Sequence, residues 1–225
     1  MKIAICILAR NEAATIGPFL ADLAGQTLLN DPGVAATVFV AANGCSDDTA
    51  AAARKAAEAH LAPRGIAFQV FDFIESGKSR SWNRLVHREM RGTFDLVAFL
   101  DADITFISNT ALANAVQMLD EHPELEAYTG YPVKHIAAFA RKGMADRLSL
   151  ATSQLTRYVD KINGSFYVIR SACLARIWLP DDTPGDDGFC GTADHYLVRV
   201  DGATVSPASV GLGQPGAGGS IGSEL

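Results

Sequence analysis

Short apolar segments alternate with helix-forming segments through the first half of this 225-residue chain. Ile3–Leu8 and Leu96–Leu100 are nearly continuous apolar runs, typical of strands covered on both faces. Strands that alternate with helices at this spacing predict βαβ units and an α/β fold with a mostly parallel sheet. The predicted strands are Ile3–Leu8, Ala36–Ala42, Ile66–Phe73 and Leu96–Leu100. The predicted helices are Thr15–Leu23, one from a cap at Ser46 or Asp47 to about Leu61, Ser79–Met90, and one from a cap at Ser108 or Asn109 to about Leu119.

The second half of the chain gives less regular patterns. Its predicted elements are a strand at Glu126–Val133, one or two helices within Ile136–Val159, a strand at Gly164–Ile169, and a short helix from Ser171 to Ile177. Residues 179–189 form an acidic, turn-rich segment. Residues 211–222 contain six glycines and only two large apolar side chains, so we expect a flexible tail there.

Composition limits the class of protein. The net charge of −6 argues against nucleic-acid binding, which needs a basic face. Four scattered cysteines without a CxxC spacing indicate neither a disulfide framework nor a zinc site, and Cys6 is expected in the core. The N-terminus lacks the pattern of a signal peptide, and no apolar stretch is long enough to cross a bilayer. These features predict a reduced, cytoplasmic protein.

Polar residues follow each of the four predicted strands. In a parallel sheet the carboxyl ends of the strands meet at one edge, and ligands bind there near the point where the strand order reverses. The sequence therefore predicts a polar rim above an apolar sheet. Its members are residues 9–12, 43–47, 75–78 and 101–103.

Asp101 and Asp103 directly follow a buried strand. Burying an unpaired carboxylate is unfavourable by several kcal/mol, so a positive group or water should lie nearby. If the chain stays extended, both side chains point the same way and form a hard-oxygen site that suits Mg²⁺ or Mn²⁺. The alternative is that Asp103 caps a turn and Asp101 pairs with a lysine.

Three other rim residues are candidates for ligand binding. Asn43 and Asp47 are suited to sugar or base hydroxyls; the alternative is a turn and a helix cap. Lys78 is suited to a phosphate; the alternative is a solvated lysine. Neither GxxxxGK[ST] nor GxGxxG occurs, so a P-loop and a dinucleotide-binding fingerprint are both excluded.

Six segments, in order, resemble those of family 2 glycosyltransferases and cover about residues 1–190. ICILARNEAATIGPFL is similar to the opening strand and helix, VAANGCSDDTAAAA to the NGSTDGT-like turn, and ESGKSRSWN to the GKxxAxN segment. FLDAD resembles the DxD motif, INGSFYVIRSACL the strand and helix of the acceptor half, and PGDDGF the segment that supplies the base. The resemblance implies a GT-A fold, a Rossmann-like three-layer α/β/α sandwich.

The resemblance implies an inverting enzyme that moves one sugar from a nucleotide-sugar, most commonly UDP-linked, to an acceptor hydroxyl. Residues 1–103 would bind the donor, residues 104–202 the acceptor, and residues 203–225 would be the tail. A Mn²⁺ or Mg²⁺ ion would be held mainly by Asp103, with Asp101 at the metal, its water shell or the ribose. The residues implied in nucleotide binding are Ala9, Arg10, Asn11, Glu12, Asn43, Lys78, Asp101 and Ala102.

The resemblance also points to a catalytic base in the acidic segment. A sugar hydroxyl is a poor nucleophile, and a nearby carboxylate can take its proton as the new bond forms. Asp187 is the first candidate and Asp186 the second. The alternative is that these two residues, with Asp181 and Asp182, form a solvated acidic loop.

Most of the other conspicuous residues have two possible interpretations. His195 is either a surface or core residue or a further metal ligand, and Trp82 is expected to pack. Trp178 either packs or stacks on an acceptor sugar. Arg170 either anchors its own segment or lies near phosphate. Three basic residues of a predicted helix form either a solvated face or a lipid-headgroup contact: Arg141, Lys142 and Arg147.

The expected partners are a nucleotide-sugar and a carbohydrate or lipid-linked acceptor, with peripheral contact at the inner face of the membrane. The QxxRW segment of processive synthases is missing, which favours a single transfer. The chain after Asp187 is shorter than usual for the family, so a short or truncated form that binds nucleotide but transfers poorly is one hypothesis. Two alternatives are a non-catalytic nucleotide-sugar-binding protein and a sugar-nucleotide nucleotidyltransferase, whose glycine-rich N-terminal loop has no counterpart in LARNEAA.

Overall fold

A computed structural model describes residues 1–130, 143–144, 164–180, 198–200 and 203–205. Its main sheet contains β1 (Lys2–Ala9), β2 (Ala35–Asn43), β3 (Ala67–Phe73), β4 (Leu96–Asp101), β5 (Ala127–Thr129) and β6 (Phe166–Arg170). The helices are α1 (Ile16–Ala24), α2 (Thr49–His60), α3 (Lys78–Arg84), α4 (Ala111–Glu121) and α5 (Ser171–Leu174). A second, antiparallel sheet consists of β7 (Ile177–Trp178), β8 (Val198–Val200) and β9 (Ala203–Val205).

The main sheet is mixed but mostly parallel, as predicted. Its strand order is β3-β2-β1-β4-β6-β5. The first four strands of that order are parallel, whereas β6 runs antiparallel to both β4 and β5. After β3 the chain crosses to the other side of β1 to form β4, so the strand order reverses between β1 and β4. This crevice is where a ligand of an open α/β sheet is expected.

Two apolar layers cover the two faces of the sheet. Along β1, Ile3, Ile5 and Ile7 face the layer that contains α1, α2 and α4, while Ala4 and Cys6 face the layer of α3 and α5. All five side chains are buried, which explains the unbroken apolar run in the sequence. Cys6 lies in the core as predicted, and burial raises the pKa of its thiol.

The predicted strands and helices of the first half are confirmed, with three local differences. The third helix is α-helical only to Arg84 and continues as a π-helical turn, Leu85–Glu89. The cap position of α2 is Asp48, although Asp47 supplies the oxygen that accepts the Thr49 N–H at 3.1 Å.

The third difference concerns the start of α4, which lies after Thr110 rather than after Ser108 or Asn109. Oε1 of the buried Gln26 accepts the Leu112 N–H at 3.2 Å, so a residue of a distant segment satisfies this helix end.

Some predictions fall outside the described residues. These are the helices of 136–159 apart from residues 143–144, the acidic segment from residue 181, Arg141, Lys142, Arg147 and His195. The predicted strand from Glu126 is observed at Ala127–Thr129, and residues 203–205 of the predicted tail pair as β9. In the part of the chain that the structure describes, no helix is both long and apolar enough to cross a bilayer.

Candidate functional site

The polar residues after β1, β2, β3 and β4 meet at one edge of the sheet. Leu8 lies beside Asp101 on one side and beside Ala41 on the other, so three strands end at nearly the same level. Asn43, the last residue of β2, pairs with Phe73 at the end of β3. The rim predicted from the sequence therefore lies at the carboxyl ends of the parallel strands, where the strand order reverses.

Asp101 and Lys78 form an ion pair at the centre of this rim. Lys78 Nζ donates to Asp101 Oδ1 at 2.7 Å, and the two side chains are 37% and 24% exposed. Partial burial raises the pKa of the Asp101 carboxyl above its ordinary value, the Lys78 ammonium opposes that rise, and the negative charge of Asp103 adds to it. The sequence-based alternative that Asp101 pairs with a lysine is thus observed.

Asp103 lies beyond the end of the strand. The extended path expected from Asp101 to Asp103 is wrong, because β4 ends at Asp101 and the chain turns. The Ala102 side chain still packs into the same apolar layer as Ala98 and Leu100, where it is 2% exposed, while Asp103 is exposed to solvent. The two carboxylates still interact, since the Asp103 charge affects the pKa of Asp101.

Replacing Lys78 with Met should destabilise the protein in a pH-dependent way. Loss of the ammonium leaves a half-buried carboxylate unpaired, which should lower the free energy of unfolding by about 1–2 kcal/mol at neutral pH. The pKa of Asp101 in the folded state is already raised, and this variant should raise it further. The deficit is therefore largest above that pKa and shrinks as Asp101 takes up a proton on acidification.

Urea denaturation of both proteins between about pH 4 and pH 8 measures this difference. The control is Arg80→Met on the same helix, whose exposed pair with Glu75 spans 3.9 Å. It should change stability by less than about 0.5 kcal/mol at every pH. A Lys78→Met deficit that stays constant with pH would contradict the assignment.

The loops after β1 and β2 are braced against each other. Asn11 adopts a left-handed backbone with φ of 57°, and its Oδ1 accepts the Ser46 N–H at 2.8 Å. In return, Asp47 Oδ2 accepts the Ala13 N–H at 3.1 Å, and its other oxygen binds Thr49. The Thr49 bond is the main cause that lowers the pKa of Asp47. Both side chains thus hold the loop geometry, and for Asp47 the predicted turn-and-cap alternative is what the structure shows.

Asn43 and Gly44 join the end of β2 to the neighbouring elements. The Asn43 side chain is 3% exposed, and its Oδ1 accepts the Ser81 hydroxyl of α3 at 2.8 Å. Gly44 has φ of +54°, and a Cβ built there would lie 2.7 Å from Ser76 Cα. The backbones after β2 and β3 therefore meet at a contact that only glycine permits.

The remaining predicted nucleotide residues occupy different positions in the rim. The side chain of Ala9 is buried, as is that of Ala102, so only their backbones can face a ligand. Arg10 is half-buried directly after β1. Glu12 lies next to the start of α1. Its carboxylate accepts a hydrogen bond from the Thr15 hydroxyl, and the backbone N–H of Glu12 donates to Thr49 Oγ1 at 2.8 Å.

The residues of the rim fit a divalent cation of the Mg²⁺ or Mn²⁺ type. Such ions keep several waters and take one or two carboxylates together with phosphate oxygens of a substrate. Asp101 and Asp103 supply two hard oxygen groups beside a ligand crevice. Within residues 1–130 and the other described ranges, no group of three or more His, Cys, Asp or Glu side chains forms a complete metal site.

The structure shows the contacts of Arg170, Trp82 and Trp178. Arg170 donates to the Leu119 and Leu125 carbonyls at 2.6 and 2.8 Å and pairs with Leu96, at the far end of β4, so the anchoring reading is supported. Trp82 is buried and packs as predicted. Trp178 stacks on His87 with ring centroids 4.5 Å apart while remaining 45% exposed. Asp186 and Asp187 lie outside the described residues.

Two positioning contacts escaped the sequence analysis. The Asp22 carboxylate on α1 accepts the Phe106 N–H at 2.9 Å and so ties down the loop that follows Asp103. Asn83 on α3 binds the backbone of Leu179, the first residue of the acidic segment. Asn83 is the last residue of ESGKSRSWN, and the resemblance of that segment to GKxxAxN was the available signal, but it did not identify the partner.

The mostly parallel sheet, with its polar rim at the switch point, has the GT-A type fold of solved glycosyltransferase structures. The mannosyltransferase PcManGT from Pyrobaculum calidifontis, in complex with GDP-Man and Mn²⁺, matches with a TM-score of 0.60 and 24% identity over 82% of this chain and 49% of that chain. S. aureus TarS 1-349 matches with a TM-score of 0.56 and 19% identity over 83% and 53% of the two chains. M. tuberculosis glucosyl-3-phosphoglycerate synthase matches with a TM-score of 0.51 and 18% identity over 78% of this chain and 59% of that chain.

These matches, which span about half the length of the solved chains, show the shared fold. No curated protein sequence shows a significant match. The sequence model of glycosyl transferase family 2 matches residues 4–178. The chain therefore belongs to glycosyl transferase family 2, as the resemblance of its motifs predicted.

Proposed function

We propose that this protein transfers a single sugar from a nucleotide-sugar to an acceptor hydroxyl, with inversion at the anomeric carbon and assistance from Mn²⁺ or Mg²⁺. The observation that supports this most is the position of Asp101, Lys78 and Asp103 at the switch point of a family 2 domain. Solved structures of the same fold contain GDP-Man, UDP-GlcNAc or UDP-Glc, which supports a nucleotide-sugar donor without specifying its base or sugar.

The rim residues would divide the binding work. Asp103, with Asp101, would hold the cation, which when bound neutralises charge on the departing nucleoside diphosphate. Lys78 adds a fixed positive charge 2.7 Å from Asp101. The braced loops at Asn11 and Asn43 would form the wall of the nucleoside pocket. Pre-formed loops lower the ordering entropy that a ligand must overcome.

Asp187, or failing that Asp186, would act on the acceptor. Its carboxylate would take the proton of the acceptor hydroxyl while the oxygen attacks the anomeric carbon from the face opposite the diphosphate. The bond from that carbon to the phosphate oxygen breaks as the new one forms, so a single displacement inverts the configuration. A carbohydrate or lipid-linked acceptor and a cytoplasmic location belong to the same proposal.

Thermal unfolding with a nucleotide panel tests the donor site. We expect UDP or GDP, or one of UDP-glucose, UDP-GlcNAc and GDP-Man, to raise the midpoint in the presence of Mn²⁺. A ligand at about 100 times its dissociation constant adds roughly 2.7 kcal/mol, which corresponds to about 5–11 °C for a chain of this size. Asp103→Asn should lose the part of the shift that depends on Mn²⁺.

The control for this variant is Asp120→Asn, an exposed carboxylate on α4 that should leave the shift unchanged. A shift that survives Asp103→Asn would move the metal ligand elsewhere. No shift with any nucleotide in the unaltered protein would contradict the proposal itself. Release of pyrophosphate from a sugar phosphate and a nucleoside triphosphate would instead favour the nucleotidyltransferase alternative.

A further inference from the structure

The loop that carries Asp103 is bound to helix α1 at Phe106. Asp22 Oδ2 accepts the Phe106 N–H at 2.9 Å, and the Phe106 ring stacks on the Phe19 ring with centroids 6.1 Å apart. Phe19 and Asp22 are three positions apart on α1 and therefore lie on the same side of the helix. One side of α1 thus binds both the ring and the backbone of a single loop residue.

The Phe106 N–H makes the first polar contact of the loop after β4. Among the residues that the structure describes, nothing forms a hydrogen bond with residues 102–105. Within that stretch, Ile104 packs against the core and Asp103 is exposed to solvent. Apolar packing is non-directional, whereas a hydrogen bond fixes the distance and the direction between two groups. The Asp22 carboxylate is therefore the group that sets the position of this stretch relative to α1.

A second attachment of the loop lies further along the chain. Gln26 Nε2 donates to the Ser108 carbonyl at 3.1 Å, five residues beyond Asp103. Phe106 is only three residues beyond Asp103, and three residues span at most about 10–11 Å. A displacement of the backbone at Phe106 must therefore reach Asp103 through a short tether.

We propose that Asp22 is a positioning residue: through Phe106 it fixes the loop that carries Asp103, and it thereby sets the affinity of the rim for its divalent cation. This inference rests on the proposed function, in which Asp103 is the main metal ligand. Outer groups that orient a metal ligand are worth about 10- to 100-fold in metal affinity. Asp22 acts through the backbone of a neighbouring loop residue, so we expect an effect at the lower end of that range.

The first measurement is hydrogen exchange of the Phe106 amide, which needs neither metal nor nucleotide. Exchange should accelerate in Asp22→Ala, because the acceptor of that N–H is gone. Asp22→Asn keeps an acceptor oxygen on a side chain of the same size and should keep the slow exchange. If the alanine form does not fold, Asp22→Glu, whose carboxylate is displaced by one methylene, replaces it.

The second measurement is a Mn²⁺ titration in the presence of UDP or GDP, followed by the thermal midpoint. In Asp22→Ala the Mn²⁺ concentration that gives half of the rise should increase about tenfold. The rise that the same nucleotide gives without Mn²⁺ should not change, because Asp22 holds the Asp103 loop and not the nucleoside pocket. Asp22→Asn should resemble the unaltered protein in both respects.

Asp95→Ala is the matched control. Asp95 Oδ2 accepts the Lys2 N–H at 2.7 Å, so this variant loses the same kind of bond from a backbone N–H to a carboxylate. Asp95 precedes β4, whose six residues span about 20 Å, so the bond lies at the end of the strand opposite to Asp101. Asp95→Ala should lower the thermal midpoint, as Asp22→Ala does, but leave the Mn²⁺ titration unchanged.

Across the variants, the affinity for Mn²⁺ should follow the exchange rate of the Phe106 amide. Faster exchange with unchanged affinity would overturn the inference. Lost affinity in a variant whose Phe106 amide still exchanges slowly would also overturn it, because the charge of Asp22 rather than its position would then act. An equal loss of affinity in Asp95→Ala would do the same, since general destabilisation would explain the effect.

Failure of the proposed function gives a different result. The unaltered protein would then show no rise of the thermal midpoint with nucleotide and Mn²⁺, and the inference would fall together with the proposed donor site. A Mn²⁺-dependent rise in the unaltered protein that persists at the same Mn²⁺ concentration in Asp22→Ala would overturn the inference alone.

Discussion

Asp187→Asn should lower the rate of sugar transfer by about 10²–10⁴-fold while leaving donor binding intact. The amide has the size of the carboxylate but cannot accept the proton of the acceptor hydroxyl at neutral pH. In the proposed mechanism the rim, not Asp187, holds the donor, so the Mn²⁺-dependent thermal shift should persist. Nucleoside diphosphate release from the donor found in the nucleotide panel measures the rate.

Asp186→Asn is the matched control for this prediction, because it removes the same charge one residue away. It should keep most of the activity. The reverse result, with the large loss in Asp186→Asn, would transfer the role of base to Asp186. If both variants kept full activity, the acidic segment would be a solvated loop. If the unaltered protein bound nucleotide but released none, the non-catalytic binding protein would become the better description.

Gly44→Ala should be among the most destabilising single changes within residues 1–103. The left-handed φ of +54° is unfavourable for any side chain, and the new Cβ would lie 2.7 Å from the backbone of Ser76. Together these effects should lower the free energy of unfolding by roughly 2–4 kcal/mol. For a chain of this size the thermal midpoint should fall by about 4–16 °C.

Gly65→Ala separates the two causes. Gly65 has a similar φ of +71°, but a Cβ there meets nothing within 4 Å. It should therefore show only the backbone effect, about 1 kcal/mol. Equal losses in the two variants would mean that the loop after β3 shifts without penalty. A larger loss at Gly44 would show that the contact between the two rim loops is rigid.

The fold could be predicted from the sequence because burial on both faces of a parallel strand leaves a direct pattern. Ile3–Leu8 and Leu96–Leu100 are apolar throughout since consecutive side chains enter different layers of the core. The antiparallel direction of β6 could not be predicted in this way, because the apolar pattern of a strand does not show whether it runs parallel or antiparallel to its neighbours.

The sequence predicted which residues form the candidate site better than it predicted their arrangement. A carboxylate at the end of a buried strand requires a nearby positive group, and Lys78 meets that requirement for Asp101. The turn at Asp103 leaves no such pattern, because the loop that follows it is held by the Asp22 carboxylate of the distant α1. The pairing of Asn83 with Leu179 is equally invisible in sequence, since nothing local to either residue specifies a partner 96 positions away.

The position of β4 between β1 and β6 has a consequence for synthesis of the chain. β4 can add to β1 as soon as residue 101 is available, but its other edge pairs only with residues 166–170. At about 5–20 residues per second, the ribosome needs roughly 3–13 s to add the intervening residues. During that interval the strand that leads to the candidate metal site presents an open hydrogen-bonding edge to other nascent chains. Chaperone occupancy of ribosome-bound chains should therefore be highest between these two lengths and fall once β6 has emerged.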